Sequence, residues 1–261
     1  MWVVSCTGSR DSKCPGIPDL NGTDGNFPIL SVIIPCYNEV ERIGAVLAHL
    51  LENLSDLIGS PNWEIVVSDD GSTDGTRQLV GEVQRSEPRV RTIAAATNSG
   101  KGAAVKVGLD RARAQTALVM DSDLSADLSV LPKMLNRMHD ADLVVGDRFY
   151  RGAVFRPPRP LVRRVASCLF RFAVRGLGLV EVSDPQCGFK VLSISKVLPL
   201  FGQLKIDRYA YEVEMLSLAK RAGLRVVEVP VVWTESAGSK VHPIRDGAAM
   251  FLDLIRIWWA V

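Results

Sequence analysis

Asp121 and Asp123 stand two positions apart directly after the apolar run Ala117–Met120. On an extended segment that spacing points both carboxylates to one side. Like charges held together are costly unless a cation joins them. An all-oxygen pair suits Mg2+ or Mn2+, which takes one or two carboxylates and completes its shell with phosphate and water. Asp-x-Asp is also a common solvated loop, and Asp140-Ala141-Asp142 has the same spacing but precedes an apolar run. Position separates the two, so the metal reading attaches to Asp121 and Asp123.

Other polar residues gather at comparable places. One apolar run, Leu30–Pro35, leads into Cys36-Tyr37-Asn38-Glu39, and another, Glu64–Ser68, into Asp69-Asp70-Gly71-Ser72. In open α/β sheets ligands sit beyond the carboxyl ends of the strands, and here three runs deliver acids to that edge. Asn98-Ser99-Gly100-Lys101-Gly102 precedes a helical pattern, where backbone N–H groups and a lysine can meet phosphate; a tight helix entry explains the glycines equally well. It is not a Walker loop, because Ala95 stands where the first Gly belongs and Gly102 replaces the Ser/Thr. Arg148, Arg151, Arg156, Arg159, Arg163, Arg164, Arg171 and Arg175 run on after Asp147 without an intervening acid. Such a run can be a solvated face, but the planar guanidinium fork suits phosphate or lipid headgroups.

The elements that must position these groups follow from periodicity. Strand-like runs at Leu30–Pro35, Glu64–Ser68, Val90–Ala94, Ala117–Met120 and Leu143–Gly146 alternate with helical patterns at Val40–Leu54, Thr76–Arg85, Gly102–Arg113 and Ser129–Met138. That rhythm predicts an α/β fold, a mostly parallel sheet with helices on both faces. Beyond it the sequence predicts a helix ending at Leu177, a loop over Val182–Phe189, a helix over Tyr209–Ala222 and a strand at Leu224–Val229.

At 261 residues with 47% hydrophobic and 23% charged residues, the chain has ample core for such a domain. A net charge of +2 gives no reason to expect a nucleic-acid partner. Five scattered cysteines, without a CxxC pair, fit a reducing compartment better than a disulfide framework. Met1–Asn26, rich in Gly, Ser, Asp and Pro, is expected to be a loosely attached arm, its run Trp2–Val4 being too short for a signal peptide core. No stretch approaches the ~20 apolar residues of a membrane-spanning helix. From residue 243 to Val261 an amphipathic helix is predicted, with Phe251, Leu254, Ile255 and Trp258 on one face and Trp259 beside them. It either packs on the core or lies in a membrane interface, and adjacent tryptophans favour the interface.

Several of these segments together carry a resemblance. Ser31–Glu39, Val67–Gly75, Asn98–Ala104, Asp121-Ser122-Asp123 and Gly146-Asp147-Arg148, in that order, resemble the family 2 glycosyltransferases. Asp184-Pro-Gln-Cys-Gly-Phe-Lys190 and Trp233–Lys240 are similar to the dolichyl-phosphate β-glucosyltransferase branch of the polyprenyl-phosphate sugar synthases. Asp147 departs from the usual Ser, and Tyr211-Glu212 from the usual Phe-Asp.

The resemblance implies a GT-A nucleotide-binding sandwich over residues 27–242, binding a UDP-sugar with Mg2+ or Mn2+. It implies that Pro35, Tyr37, Glu39 and Asp69 line the uridine pocket. Lys101 and Asp121 approach the diphosphate, and Asp123 binds the metal with Asp121, with Ser125 near it. Arg148, Arg163 and Ser167 match acceptor-phosphate positions, and Lys240 lies in a segment closing over the donor. Asp184 and Glu214 are the acids expected to hold an Arg or Lys in place, and Asp123, Arg148 and Asp184 form the catalytic set. The expected reaction is inverting transfer of a sugar, glucose favoured, to a polyprenyl or dolichyl phosphate at the cytoplasmic face of a membrane, the protein being peripheral or monotopic. A membrane partner protein or a homo-oligomer stays open. So do another donor sugar (mannose or an N-acetylhexosamine), a non-lipid glycan acceptor, nucleotidyl transfer, and a catalytically silent nucleotide-sugar-binding scaffold.

Overall fold

The computed structural model describes residues 27–150, 153–156, 161–234 and 243–260. The expected arm, Arg151, Arg159 and Lys240 lie outside the described residues, as does the side chain of Arg163.

The alternation read from the sequence is present: β1 (Leu30–Cys36), α1 (Val40–Ile58), β2 (Trp63–Asp69), α2 (Thr76–Ser86), β3 (Val90–Ala94), α3 (Lys101–Asp110), β4 (Thr116–Met120), α4 (Leu131–Arg137) and β5 (Leu143–Asp147). The second half adds β6 (Val154–Arg156), α5 (Leu161–Gly176), β7 (Phe189–Ser193), α6 (Ile194–Phe201), α7 (Tyr211–Arg221), β8 (Val226–Pro230), β9 (Val232–Thr234) and α8 (Pro243–Ala260). All seven residues of β1 and of β2 are buried, as expected of strands covered on both faces. Helix α1 turns Ile43, Val46, Leu47, Leu50, Leu54 and Ile58 to the core and ends at Gly59, whose left-handed φ of 66° lets its N–H cap Ser55.

The main sheet has strand order β3-β2-β1-β4-β7-β5-β8. Strands β3, β2, β1 and β4 are mutually parallel, β5 and β8 are parallel, and β7 runs antiparallel to both β4 and β5. The order reverses between β1 and β4, which opens a crevice at their carboxyl ends. Cys36 lies opposite Asp69, so β1 and β2 end level and their loops emerge side by side. Strands β6 and β9 form a small separate parallel pair.

Four elements were not expected: β6, β7, α6 and β9. Strand β7 is the important one, because it is wedged into the middle of the sheet. Its five residues carry Lys190 among apolar neighbours, and that lysine is buried beside an acid rather than marking a surface loop. A hidden ion pair gives no periodic signal in sequence.

Helix α8 is amphipathic as expected, with one change of face. Leu254 and Ile257 are buried in the core, while Phe251, Leu252, Ile255, Trp258 and Trp259 are exposed. Leu254 is therefore a packing residue and does not share the outward face. Phe251 meets Phe170 of α5 edge to face at 5.9 Å, tying the two helices together. On α5, Val165, Leu169 and Phe172 are also exposed, spaced to share one side of the helix. Among the described residues no helix is long and apolar enough to cross a membrane.

Candidate active site

The loops after β1 and β2 are stitched into one wall. Asn38, at φ 55°, donates its N–H to Ser72 Oγ (2.8 Å) and accepts the Thr73 N–H on Oδ1 (2.8 Å). Asn tolerates this left-handed backbone because its short side chain bonds locally. The Glu39 N–H meets Thr76 Oγ1 at 2.8 Å, and its carboxylate is forked by Arg42 at 2.7 and 2.8 Å. Pro35 lies in β1 opposite Ser68, Tyr37 is exposed at the rim, and Asp69 is buried, accepting from the Ser72 N–H and Arg77 Nε, each at 3.0 Å. The four residues expected to form a uridine pocket thus sit at the adjoining ends of β1 and β2 and on the loop that follows β1.

Asp70 has a different job. Its two oxygens accept the N–H groups of Ser99 and Gly100, each at 2.8 Å, bending the loop that carries Lys101. Burial raises its pKa against those two donors. Gly100 adopts φ 114°, and a Cβ there would lie 2.4 Å from the Asp207 carbonyl. Both the backbone angle and the close approach require glycine.

Asp121 and Asp123 follow β4 at the crevice. The Asp121 N–H reaches the Gly188 carbonyl at 3.2 Å, and a Cβ on Gly188 would fall 1.9 Å from Asp121 Oδ2. Lys101 Nζ lies 2.7 Å from Asp121 Oδ1 and 3.4 Å from Glu212 Oε1. Burial disfavours its charge, but Asp121 and Glu212 outweigh it and hold the ammonium well above its ordinary pKa. Ser125 donates its backbone N–H to Asp123 Oδ1 at 3.0 Å, and its hydroxyl also bonds that carboxylate. Burial, and then the like charge of Asp121, raise Asp123. Among the described residues no group of three or more His, Cys, Asp or Glu gathers as a metal cage. Two crevice carboxylates suit a cation that draws its remaining ligands from phosphate and water.

The opposite wall is built on Arg148, at the end of β5. Its Nε and terminal nitrogen fork Asp184 at 2.6 and 2.8 Å, its backbone N–H adds a bond at 3.1 Å, and the guanidinium also reaches the Gln186 carbonyl at 2.9 Å. Trp233 covers it at 4.9 Å. Burial opposes both charges, yet each holds the other: Asp184 raises Arg148, and Arg148 keeps Asp184 below the usual carboxylate range. Cys187, on the same loop as Asp184, is buried, and burial pushes its thiol up to about 12, so it is a packing residue. Asp147, the departure from Ser, is buried and accepts the Phe149 N–H at 2.7 Å, shaping the turn that aims Arg148. Arg171 of α5 stacks on Phe149 at 3.5 Å, and Ser167 is half-buried one turn earlier.

A single loop joins the two walls: Asp184 grips Arg148 at one end and Gly188 abuts Asp121 at the other. Asp184 holds an arginine, as anticipated. Glu214 instead accepts the backbone N–H groups of Lys205 and Ile206 at 3.1 and 3.0 Å. Three contributors escaped the sequence reading: Gly188 as a contact, and the buried pair Lys190 and Glu212, joined at 2.9 Å. Glu212 left two signals in the sequence, its place in the Tyr211-Glu212 motif position and its flanking by Val213, Met215 and Leu216.

Comparison with known proteins agrees with this geometry. The glycosyl transferase family 2 model matches residues 31–197. The chain is 32% identical over 239 residues to the dolichyl-phosphate beta-glucosyltransferase of Dictyostelium discoideum, covering 87% of this chain and 73% of that protein. It is 31% identical to the protein of the same name from Saccharomyces cerevisiae, covering 92% and 78%. Among solved structures it resembles glucosyl-3-phosphoglycerate synthase from Mycobacterium tuberculosis, in complex with Mn2+, UDP and phosphoglyceric acid. The TM-score is 0.64 at 21% identity, over 92% of this chain and 80% of the other. The mannosyl-3-phosphoglycerate synthase of Rubrobacter xylanophilus gives a TM-score of 0.63 at 20% identity, over 88% and 72%. These likenesses identify the doubly wound sandwich as a GT-A fold.

Proposed function

The chain belongs to glycosyl transferase family 2, and from that premise we propose that it transfers glucose from UDP-glucose to a polyprenyl or dolichyl phosphate, inverting the anomeric carbon, at a membrane surface. The observation that carries this reading is the two-walled crevice, with carboxylates and Lys101 on one side and a clamped, buried arginine on the other. The relatives named dolichyl-phosphate beta-glucosyltransferase support glucose and the lipid phosphate.

A phosphate monoester is already ionised near neutral pH, so it can attack the anomeric carbon without a strong general base. The harder task is to hold the leaving diphosphate. Asp121 and Asp123 would hold Mg2+ or Mn2+, with Ser125 bracing Asp123. When bound, the cation neutralises charge developing on the leaving oxygens. Lys101 supplies a second cation to the diphosphate. Pro35, Tyr37, Glu39 and Asp69 bind and orient the uridine. Arg148, fixed by Asp184, meets the acceptor phosphate with no reorganisation. Ser167 would serve that phosphate from α5, and by the family resemblance Arg163 joins it and Lys240 is assigned to donor binding.

The membrane contact is assigned to α5 and α8 together. Phe172 and Trp259 are 77% and 79% exposed, with Leu169, Ile255 and Trp258 beside them on the same two helices. Arg164 and Arg175 are exposed on α5 and would face anionic headgroups. Arg171 on Phe149 links this helix to the arginine wall, so a lipid phosphate at headgroup depth would meet Arg148.

The test is turnover with labelled UDP-glucose, UDP-N-acetylglucosamine and GDP-mannose against a short polyprenyl phosphate, with products identified by mass spectrometry. Glucosyl-phosphoryl-polyprenol with released UDP is expected. Transfer only to a water-soluble acceptor would overturn the lipid assignment, and release of pyrophosphate would mark a nucleotidyl transfer instead.

A further inference from the structure

Glu212 Oε1 is shared by two lysines from different elements: Lys190 Nζ of β7 at 2.9 Å and Lys101 Nζ of α3 at 3.4 Å. The two lysines are held very differently. Lys190 is buried in the sheet and also donates to the Cys187 carbonyl. Lys101 and Asp121 keep 20% and 30% of their side chains exposed, and they meet at 2.7 Å. One end of this chain of charges is fixed, and the other opens into the crevice.

We propose that Lys101 is a gate on the metal site, and that Glu212 is the positioning residue that lets it open. This rests on the reading of Asp121 and Asp123 as metal ligands. Lys101 neutralises the Asp121 oxygen that a divalent cation would need, so cation and ammonium compete for it. A nucleoside diphosphate offers the ammonium other oxygens and brings further ligands to the cation. Metal and nucleotide therefore bind with positive coupling, and each raises the affinity of the other by the same factor. Glu212 keeps a second contact on Lys101, so that leaving Asp121 is a short pivot rather than a release into water. Lys190 spends part of the charge on Glu212, which leaves Lys101 closer to Asp121 than to Glu212.

Removal of the gate and removal of its second contact should act with opposite sign. Lys101→Met should bind Mn2+ alone about tenfold more tightly than wild type, the scale of losing a partly buried ion pair. The gain in Mn2+ affinity on adding UDP should shrink in the same variant. Glu212→Gln should bind Mn2+ alone more weakly, because Lys101 then rests on Asp121 without a rival. If Glu212→Gln fails to fold, the Glu212→Gln/Lys190→Met double variant removes the buried pair together and should show the same direction. The experiment is calorimetric titration of Mn2+, with and without UDP, on proteins verified by circular dichroism. Equal or weaker Mn2+ affinity in Lys101→Met, with wild-type binding intact and lost in Asp123→Ala, would overturn the gate alone. Absence of Mn2+ binding to wild type even with UDP would overturn the metal reading and the gate with it.

Discussion

Gly188 presses so closely on Asp121 that a methyl group at its Cα would lie 1.9 Å from Oδ2 and 2.4 Å from Cγ of that carboxylate. The contact joins the end of β4 to the start of β7, which runs antiparallel to it and is already bonded there through the Asp121 N–H and the Gly188 carbonyl. Gly188→Ala should push Asp121 out of place. We expect turnover to fall about a hundredfold, the cost of an ångström-scale misplacement in a reacting site. Overpacking should cost about 1–3 kcal/mol of stability. Turnover within twofold of wild type, in a folded variant, would show that Asp121 has no part in the reaction.

Asp123 tests the cation from the other side. Burial and Asp121 both penalise its charge, so a cation is the natural partner for the pair. Asp123→Ala should keep its melting temperature within a few degrees while losing activity by about 10²-fold or more. A chelator should abolish wild-type turnover, and Mn2+ or Mg2+ should restore it. Full activity in excess chelator would remove the metal from the mechanism.

The Arg148–Asp184 clamp predicts a pH dependence of stability. The folded-state pKa of Asp184 is lowered, so its contribution is fully present above the unfolded value of about 3.9 and is lost as pH falls through the folded value. Urea midpoints of wild type should therefore drop steeply below pH ~4. Asp184→Asn, which strands a buried guanidinium, should lose about 3–5 kcal/mol near neutrality and show a shallower acid limb. Identical acid limbs in the two proteins would mean that Asp184 is not the group that titrates there.

The first half of the sandwich was legible because its signals are local. Buried strands read as β-branched runs, helices as spaced Ile, Val and Leu, and the acids fall where strands end. The second half was not, because its key elements depend on partners far along the chain. Lys190 interrupts the apolar run of β7, and only Glu212, on a later helix, neutralises it. Gly188 carries no signal beyond being a glycine, since its value lies in what a side chain would strike. Leu254 and Ile255 are adjacent and equally apolar, yet one is buried and the other exposed. Periodicity defines a stripe only to within about one residue on a helix this rich in apolar side chains, so the packing of α5 had to decide between them.

That distinction decides which side chains can report on a membrane contact. Leu254 packs inward with Ile257, so Leu254→Ser should damage the fold, at a cost of about 2–5 kcal/mol, rather than report on lipid. Phe172 and Trp259 reach furthest into solvent, one from each helix of the pair joined by Phe170 and Phe251. Each large apolar side chain that leaves water for the interface gains about 1.5–3 kcal/mol. A Phe172→Ser/Trp259→Ser double variant should therefore lose most liposome binding while keeping its melting temperature and its affinity for UDP. Arg164 and Arg175 add attraction to anionic lipid that salt screens beyond about 10 Å at 0.1 M, so wild-type flotation should weaken on raising salt and vanish soonest on neutral vesicles. The measurement is flotation on vesicles with and without anionic lipid, at low and high salt, for wild type and the double variant. Equal flotation of the two proteins under every condition would place the membrane contact outside α5 and α8.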